Sequence, residues 1–459
     1  MKSKMLSLVL SFGLICVALA GCGSNQKLSV KNPVTLNMWH NYGGDMQQTM
    51  DLLIDEFNST VGKDQGIVIN VTAIASSSEL NESLKMIVSG DPGAPAMPDI
   101  CTAYPKVAID FVNKGMLADL EGYFTKDELA AYIPAFIDEG RFDDGLYVFP
   151  MAKSTEILYL NQTLFDRFAS ETGAKMEQFD TMEGLCELSQ MYYEWTDKKT
   201  PEIKGDGKQF YASDSWFNMA QVGMKQLGES LIVSETGSNE ANNYQIDCSG
   251  TAYAHIFETL YTPAVKGGIA IYDGYSSDLS KTGDLVCSTG SSAGILFYGD
   301  TITYPDNRVE QVEYSILPYP VFKGGTKTAI QRGGGFMVAK TEEKREYAAV
   351  QFLKWLTAPA QNMRFIASTG YLPVTVQAFE QDMKIHMEGV EDARIKKMLA
   401  AVNSMYENYS FFTPPIFAGF DSISKEYEKD FKALMAIERE RYLNSGELSP
   451  GEAQKKMSK

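Results

Sequence analysis

The sequence predicts an α/β protein of two lobes joined by hinge crossings, with a ligand cleft between the lobes. Three observations predict this. At 459 residues the chain exceeds the ~250 to 300 residues at which a single core stops growing. Its first third alternates strand-like and helix-like runs, the pattern of a mostly parallel sheet covered by helices. Finally, Phe149–Asn161 (FPMAKSTEILYLN) leaves an apolar turn, shows a short polar cluster from Lys153 to Glu156, and enters a second apolar run. A strand that passes from one packed unit to another has this look, and ligands sit beside such interfaces.

At the N-terminus, Lys2 and Lys4 precede an apolar run from Met5 to Ala20 that ends in Leu19-Ala20-Gly21-Cys22. The run is short for a membrane span and has the basic flank and small-residue exit of an export signal. Its last four residues resemble a bacterial lipobox. That resemblance implies removal of residues 1–21, lipidation of Cys22, and a flexible tether over 22–33, whose polar composition suits that role. The mature chain then has 459 − 21 = 438 residues, and loss of two lysines takes its formal charge from −18 to −20. Such acidity argues against nucleic acid, whose binding needs clustered Lys and Arg, and against flat adsorption on an anionic membrane. Cys101, Cys186, Cys248 and Cys287 are widely spaced with no histidine at ligand spacing, so no metal site is expected. Disulfides and buried thiols both remain open.

The elements follow in order. Val34 to Trp39 is a strand, with His40, Asn41 and Tyr42 just beyond it. A helix follows whose apolar face is Met46, Met50, Leu53, Ile54 and Phe57. Ile67 to Ile74 is a strand, and Leu80, Leu84, Ile87 and Val88 face the next helix. Asp99 to Tyr104 is a short buried strand. Ligands lie beyond the carboxyl ends of strands in such sheets, which puts Asn41, Tyr42 and Tyr104 on the ligand side. After Phe149–Asn161 come helices at Gln162 to Glu171 and at Thr181 to Trp195, the latter with Asp180 as its cap. Phe210 to Asn218 sets Trp216 beside Ser213, Asp214 and Asn218, and Ala252 to Val265 is a further helix. Ala293 to Tyr298 (AGILFY) reads as a second crossing strand. Tyr314 to Pro318 is a strand, and Gln331 to Lys340 a glycine-rich turn leading into a short strand. Helices close the chain at Glu342 to Thr357, Ala360 to Ser368 and Ser422 to Asn444. The expected division is 34–150 plus about 299–334 for the N-terminal lobe, 151–298 plus about 335–446 for the C-terminal lobe, and a polar tail over 447–459.

The order of these motifs resembles the extracellular solute-binding proteins of bacterial ABC importers, in the cluster that holds receptors for maltose, oligosaccharides and glycerol 3-phosphate. The residues carrying the resemblance are Trp39-His40, Pro98-Asp99-Ile100, Ser154-Thr155 with Leu158-Tyr159 and Asn161, Trp216-Phe217, Gly333-Gly334, Phe352 to Leu356 and Thr369 to Pro373. It implies a periplasmic-binding-protein-like fold of type II, a non-catalytic monomer that closes on a solute and presents it to a membrane permease. Thr369 to Phe379 looks like its counterpart in glycerol 3-phosphate receptors. Those place a phosphate-binding arginine in a late loop, at Ile416 to Phe420 here, where no arginine stands. A guanidinium is the usual grip on phosphate, so a neutral sugar or oligosaccharide is the expected ligand.

Sugars combine apolar faces with rings of hydroxyls, and their receptors therefore need aromatic platforms beside planar donors and acceptors. The candidate ligand-binding residues are Asn41, Tyr42, Tyr104, Ser154, Trp216, Tyr298, Gly334 and Tyr371, with Trp216 as the principal platform. An anionic solute would instead draw on Lys153 or Arg332. The three histidines have no triad partner at suggestive spacing, and the chain has no P-loop, dinucleotide fingerprint or HExxH. Glu156 and Asp214 are the carboxylates a glycosidase would need. No cofactor is expected.

Overall fold

The computed structural model describes residues 28–142, 144–234, 244–379, 390, 392–417 and 419–457. The expected signal segment and Cys22 lie outside the described residues, as does His386.

Phe149–Asn161 is a single strand of 13 residues, buried at every position. Its first half pairs antiparallel with Thr328–Val338, Phe149 opposite Phe336 and Thr155 opposite Gln331. Its second half pairs with Cys287–Ser291 and, on the other edge, with Tyr314–Leu317. One strand thus serves both lobes, and burial on both faces demands that its charged residues, Lys153 and Glu156, each find a partner. Asn161 ends it by accepting the Leu164 N–H and so capping the helix Gln162–Thr172.

Nine described strands form one continuous sheet. Its order runs from Ile67–Ala73 through Val34–His40 and Ile100–Ala103 to the return strand Thr328–Val338, then the crossing strand Phe149–Asn161, Cys287–Ser291 and Tyr211–Ser213. The first three strands are mutually parallel, as the alternating pattern predicts. The helix Asp45–Ser59 buries Met50, Leu53, Ile54 and Phe57 against them, and Phe57 meets Phe352 edge-on at 5.0 Å. In the second lobe Trp216 stacks on Phe431 of the long helix Phe420–Ser445.

Five expectations need correction. Ala293 to Tyr298 is not a crossing strand but part of a 3-10 turn, Ser292–Phe297, whose entry is capped by Ser291 accepting the Ala293 N–H. The second crossing is Thr328–Val338. Read from sequence as a turn and a short strand, it runs straight through its glycines with a bulge at Gly334/Gly335. The later lobe segments are exchanged. Tyr314–Leu317 pairs with the second-lobe half of the crossing strand, while the helices Glu343–Leu356 and Pro359–Ala367 pack on the first lobe, where Arg345 grips Asp99 at 2.6 Å. Thr181, not Asp180, caps the helix Met182–Asp197 by accepting the Gly184 N–H. The tail is not merely polar: Pro450–Met457 is a helix that buries Ala453 and pairs Lys456 with Glu438 at 2.9 Å. Among the described residues Cys101, Cys186, Cys248 and Cys287 are buried and none is in a disulfide.

Candidate functional site

Two adjoining hollows meet at Tyr104. The larger, about 250 Å³, is walled by Tyr104, Pro105, Lys106 and Glu139 from the first lobe and by Asn218, Thr413 to Ile416 and Phe420 from the second. Ile330 to Gly333 of the return strand form its floor. The smaller, about 30 Å³, is lined by Asn41, Tyr42, Ser77, Thr102, Tyr104, Gly334 and Tyr371, among others. Together they make a cleft between the lobes, of a volume approaching the ~300 Å³ lower end of small-molecule sites. A larger hollow, about 760 Å³, lies on the second lobe beside Phe179, Tyr319 and Tyr409 and shares no lining residue with the cleft.

The geometry follows from the strands. Tyr104 sits where Ile100–Ala103 ends and the helix Pro105–Asn113 begins, which leaves its ring 36% exposed at the cleft. The Asn41 amide is held at both ends, donating to Ser77 Oγ at 2.5 Å and accepting from Thr102 Oγ1 at 3.1 Å. Tyr42 packs edge-on against Phe365 at 5.0 Å, and Tyr371 lies parallel to the same ring at 6.3 Å. Burial pushes both phenols up, so each stays a neutral hydroxyl that can donate and accept.

The cations of the cleft wall are matched. Arg332 donates through Nη1 to Glu156 Oε1 at 2.9 Å, and Asn218 donates to the same oxygen at 2.8 Å. Burial pushes the Glu156 carboxyl up, while the Arg332 guanidinium and the Asn218 amide act against that rise. Lys106 pairs across the lobes with Asp421 and stands 5.4 Å from the Phe420 ring. Behind the wall, Lys153 pairs with Glu139 at 2.6 Å. The polar groups lining the space are hydroxyls, amides and three paired charges, those of Arg332, Lys106 and Glu139. Such a surface suits a neutral, hydroxyl-rich ligand laid against Tyr104. Of the two carboxylates a glycosidase would need, Glu156 is engaged by Arg332 and Asn218, and Asp214 accepts the Ser276 N–H at 2.9 Å.

Asn41, Tyr42, Tyr104, Gly334 and Tyr371 are brought together in the smaller hollow. Three expected residues are not. The Trp216 ring is 1% exposed, stacked on Phe431 and edge-on to Tyr211, because the first residue of the helix Trp216–Gln226 leans back into the second-lobe core. Tyr298 is buried against Tyr159 at 4.0 Å with its hydroxyl on Ser288. Ser154 is buried opposite Arg332 and lines neither hollow. What the sequence reading missed is that Asn218, two residues after Trp216, is the side chain that reaches the cleft. Gln331, Phe420 and Lys106 were missed too, and Arg332 entered only with the anionic alternative. One signal was available: period-two alternation puts Ser154 and Glu156 on one strand face, so a charge facing the crossing was to be expected there.

Among the described residues no group of three or more His, Cys, Asp or Glu is placed to hold a metal, and no helix is long and apolar enough to cross a membrane.

The bacterial extracellular solute-binding protein family model matches residues 53–413. The chain is 24% identical over 376 residues, 76% of each chain, to the sn-glycerol-3-phosphate-binding periplasmic protein UgpB of Agrobacterium fabrum. In fold it is similar to the cyclic alpha-maltosyl-1,6-maltose binding protein from Arthrobacter globiformis, with a TM-score of 0.69 at 18% identity, covering 93% of this chain and 97% of that one. It is likewise similar to UgpB from Mycobacterium tuberculosis in complex with glycerophosphocholine, with a TM-score of 0.66 at 15% identity and the same coverage.

Proposed function

From the premise that the chain belongs to the bacterial extracellular solute-binding protein family, we propose that it captures a neutral sugar or oligosaccharide between its lobes and delivers it to the permease of an ABC importer. The observation that carries the ligand class is the charge balance of the cleft. Both cations on its wall, Arg332 and Lys106, are matched by carboxylates, while an exposed tyrosine and the hydroxyls and amides of the two hollows line the space a sugar would occupy. The reading is of a non-catalytic monomer: capture needs only that the closed arrangement of the lobes binds the ligand better than the open one. Export, removal of residues 1–21 and lipidation at Cys22 complete the picture of a receptor tethered on the outer face of the cell membrane. Palmitate labelling of the wild type, lost in Cys22→Ser, tests that part.

The name of the Agrobacterium relative favours a second reading, a receptor for glycerol 3-phosphate or a glycerophosphodiester. Calorimetric titration decides between them. A neutral saccharide such as maltotriose, bound with an affinity insensitive to salt, supports the first reading. Binding of glycerol 3-phosphate alone, weakened by salt, overturns it.

A further inference from the structure

The Arg332 guanidinium arrives at the cleft already engaged. Arg332 lies opposite Ser154 across the two crossing strands, and Glu156 is the next residue on that face of the crossing strand. This is the diagonal that long side chains span. The pair is unequal in burial: the Glu156 side chain is 2% exposed and that of Arg332 35%. The carboxylate is therefore inside and the guanidinium faces the ligand space. Asn218 fixes the carboxylate from the second lobe. Besides burial, two further carboxylates, Asp214 and Glu428, push the Glu156 carboxyl up, against the pull of Arg332 and Asn218; Glu428 is itself held, accepting from Ser215 and Phe217. An unpaired guanidinium in a cleft is an anion clamp. Backed by a buried carboxylate, it offers N–H donors without net charge.

We propose that Glu156 is a built-in counter-anion that sets the charge selectivity of the cleft, making Arg332 a donor to hydroxyls and denying it to phosphate-bearing ligands. A phosphate bonded to Arg332 would come close to the Glu156 carboxylate, and like charges repel most strongly where water is excluded. The inference rests on the cleft being the ligand site and adds the residue that separates two ligand classes there.

The test is calorimetry on the full chain with sn-glycerol 3-phosphate as probe, comparing wild type, Glu156→Gln and Glu156→Gln/Arg332→Met. Glutamine keeps the shape of Glu156 and an oxygen for Asn218 and Arg332, and removes the charge. Glu156→Gln is expected to bind glycerol 3-phosphate at least about tenfold more tightly than wild type. That gain should shrink between about 0.05 and about 0.5 M salt and vanish in the double variant. A folded Glu156→Gln with no gain overturns the inference; if that variant does not fold, Glu156→Ala is read by the same criterion. A parallel titration with maltotriose keeps the two claims apart. Wild type that binds maltotriose, with no gain of phosphate binding in Glu156→Gln, sinks the counter-anion alone. Tight binding of glycerol 3-phosphate by the wild type sinks both the neutral-ligand reading and the inference.

Discussion

Lys153 and Glu139 meet at 2.6 Å with both side chains less than a tenth exposed, and Gln331 donates to the same Glu139 oxygen. The three residues come from different places: Lys153 from the crossing strand, Gln331 from the return strand, and Glu139 from just past the first-lobe helix Pro134–Asp138. Gln331 also donates to Thr413 Oγ1 at 3.3 Å, which brings in the segment after Ser410–Phe412. The network therefore ties the crossings to one another. Removing one partner of a buried pair leaves the other charge uncompensated, at a cost of about 3–5 kcal/mol. Lys153→Met is expected to cost that much in urea unfolding, and Lys153→Met/Glu139→Leu to recover most of it. Simple additivity of the two single variants would show that the residues do not act as a pair.

Trp216 and Tyr104 should separate stability from binding. Trp216 is enclosed by Phe431 and Tyr211, so Trp216→Ala should cost about 3–5 kcal/mol of stability and leave the affinity of the folded fraction unchanged. Tyr104 is 36% exposed at the cleft. Tyr104→Ala should change stability by about 0.5 kcal/mol or less and weaken ligand by about 1 kcal/mol, several-fold in Kd. Thermal unfolding and calorimetry on both variants check this, and the reverse assignment would return Trp216 to the site.

The contrast also shows what the sequence made legible. The crossing strand could be read to its end residues because a polar cluster inside an apolar run is unusual, and because Asn161 both ends the strand and caps the next helix. Tyr42 and Tyr104 could be placed because they follow strand ends, where a parallel sheet opens; Tyr371 follows the helix Pro359–Ala367 and was legible only as an aromatic residue of the Thr369 to Pro373 motif. Trp216 could not be placed. Its polar neighbours belong to a helix start, with Ser215 accepting the Asn218 N–H, and the direction in which a first-turn ring leans is not in the composition. Ala293 to Tyr298 failed for a related reason: a short apolar run has no period that separates strand from turn. The exchange of lobe segments is a matter of long-range pairing, such as Arg345 with Asp99, which local pattern does not encode.

His40 is buried at the end of the first strand, and its Nδ1 accepts the Tyr42 backbone N–H at 3.3 Å. Burial holds its pKa below the ordinary 6.5, with Asp51 pulling the other way. The unfolded chain takes up the proton at about 6.5 and the folded chain resists it. The stability linked to His40 is therefore whole above that value and is lost as pH falls from it through the lower folded pKa. Protonation would also end the acceptance from Tyr42, a residue of the smaller hollow. Between about pH 7 and about pH 5, wild type should lose more thermal stability and more ligand affinity than His40→Gln. Parallel curves for the two proteins would dismiss the coupling.

Gly333 and Gly334 are adjacent in the return strand and should fail differently. Gly333 has φ of 105°, and a β-carbon there would lie 2.4 Å from the Ala152 carbonyl oxygen of the crossing strand. Gly333→Ala therefore combines an unfavourable backbone conformation, about 1–3 kcal/mol, with a collision between the two strands that join the lobes. Gly334 has no positive φ. A β-carbon there would lie 2.9 Å from the Ala103 carbonyl oxygen and 3.9 Å from the Tyr104 ring, so relief requires movement at the strand end that carries Tyr104. The melting temperature should fall more for Gly333→Ala, while the affinity per folded molecule should fall more for Gly334→Ala. If Gly334→Ala binds ligand as wild type does, the backbone at Ala103 and Tyr104 has yielded without moving the ring, and the close approach of the two strands there is not what shapes the cleft.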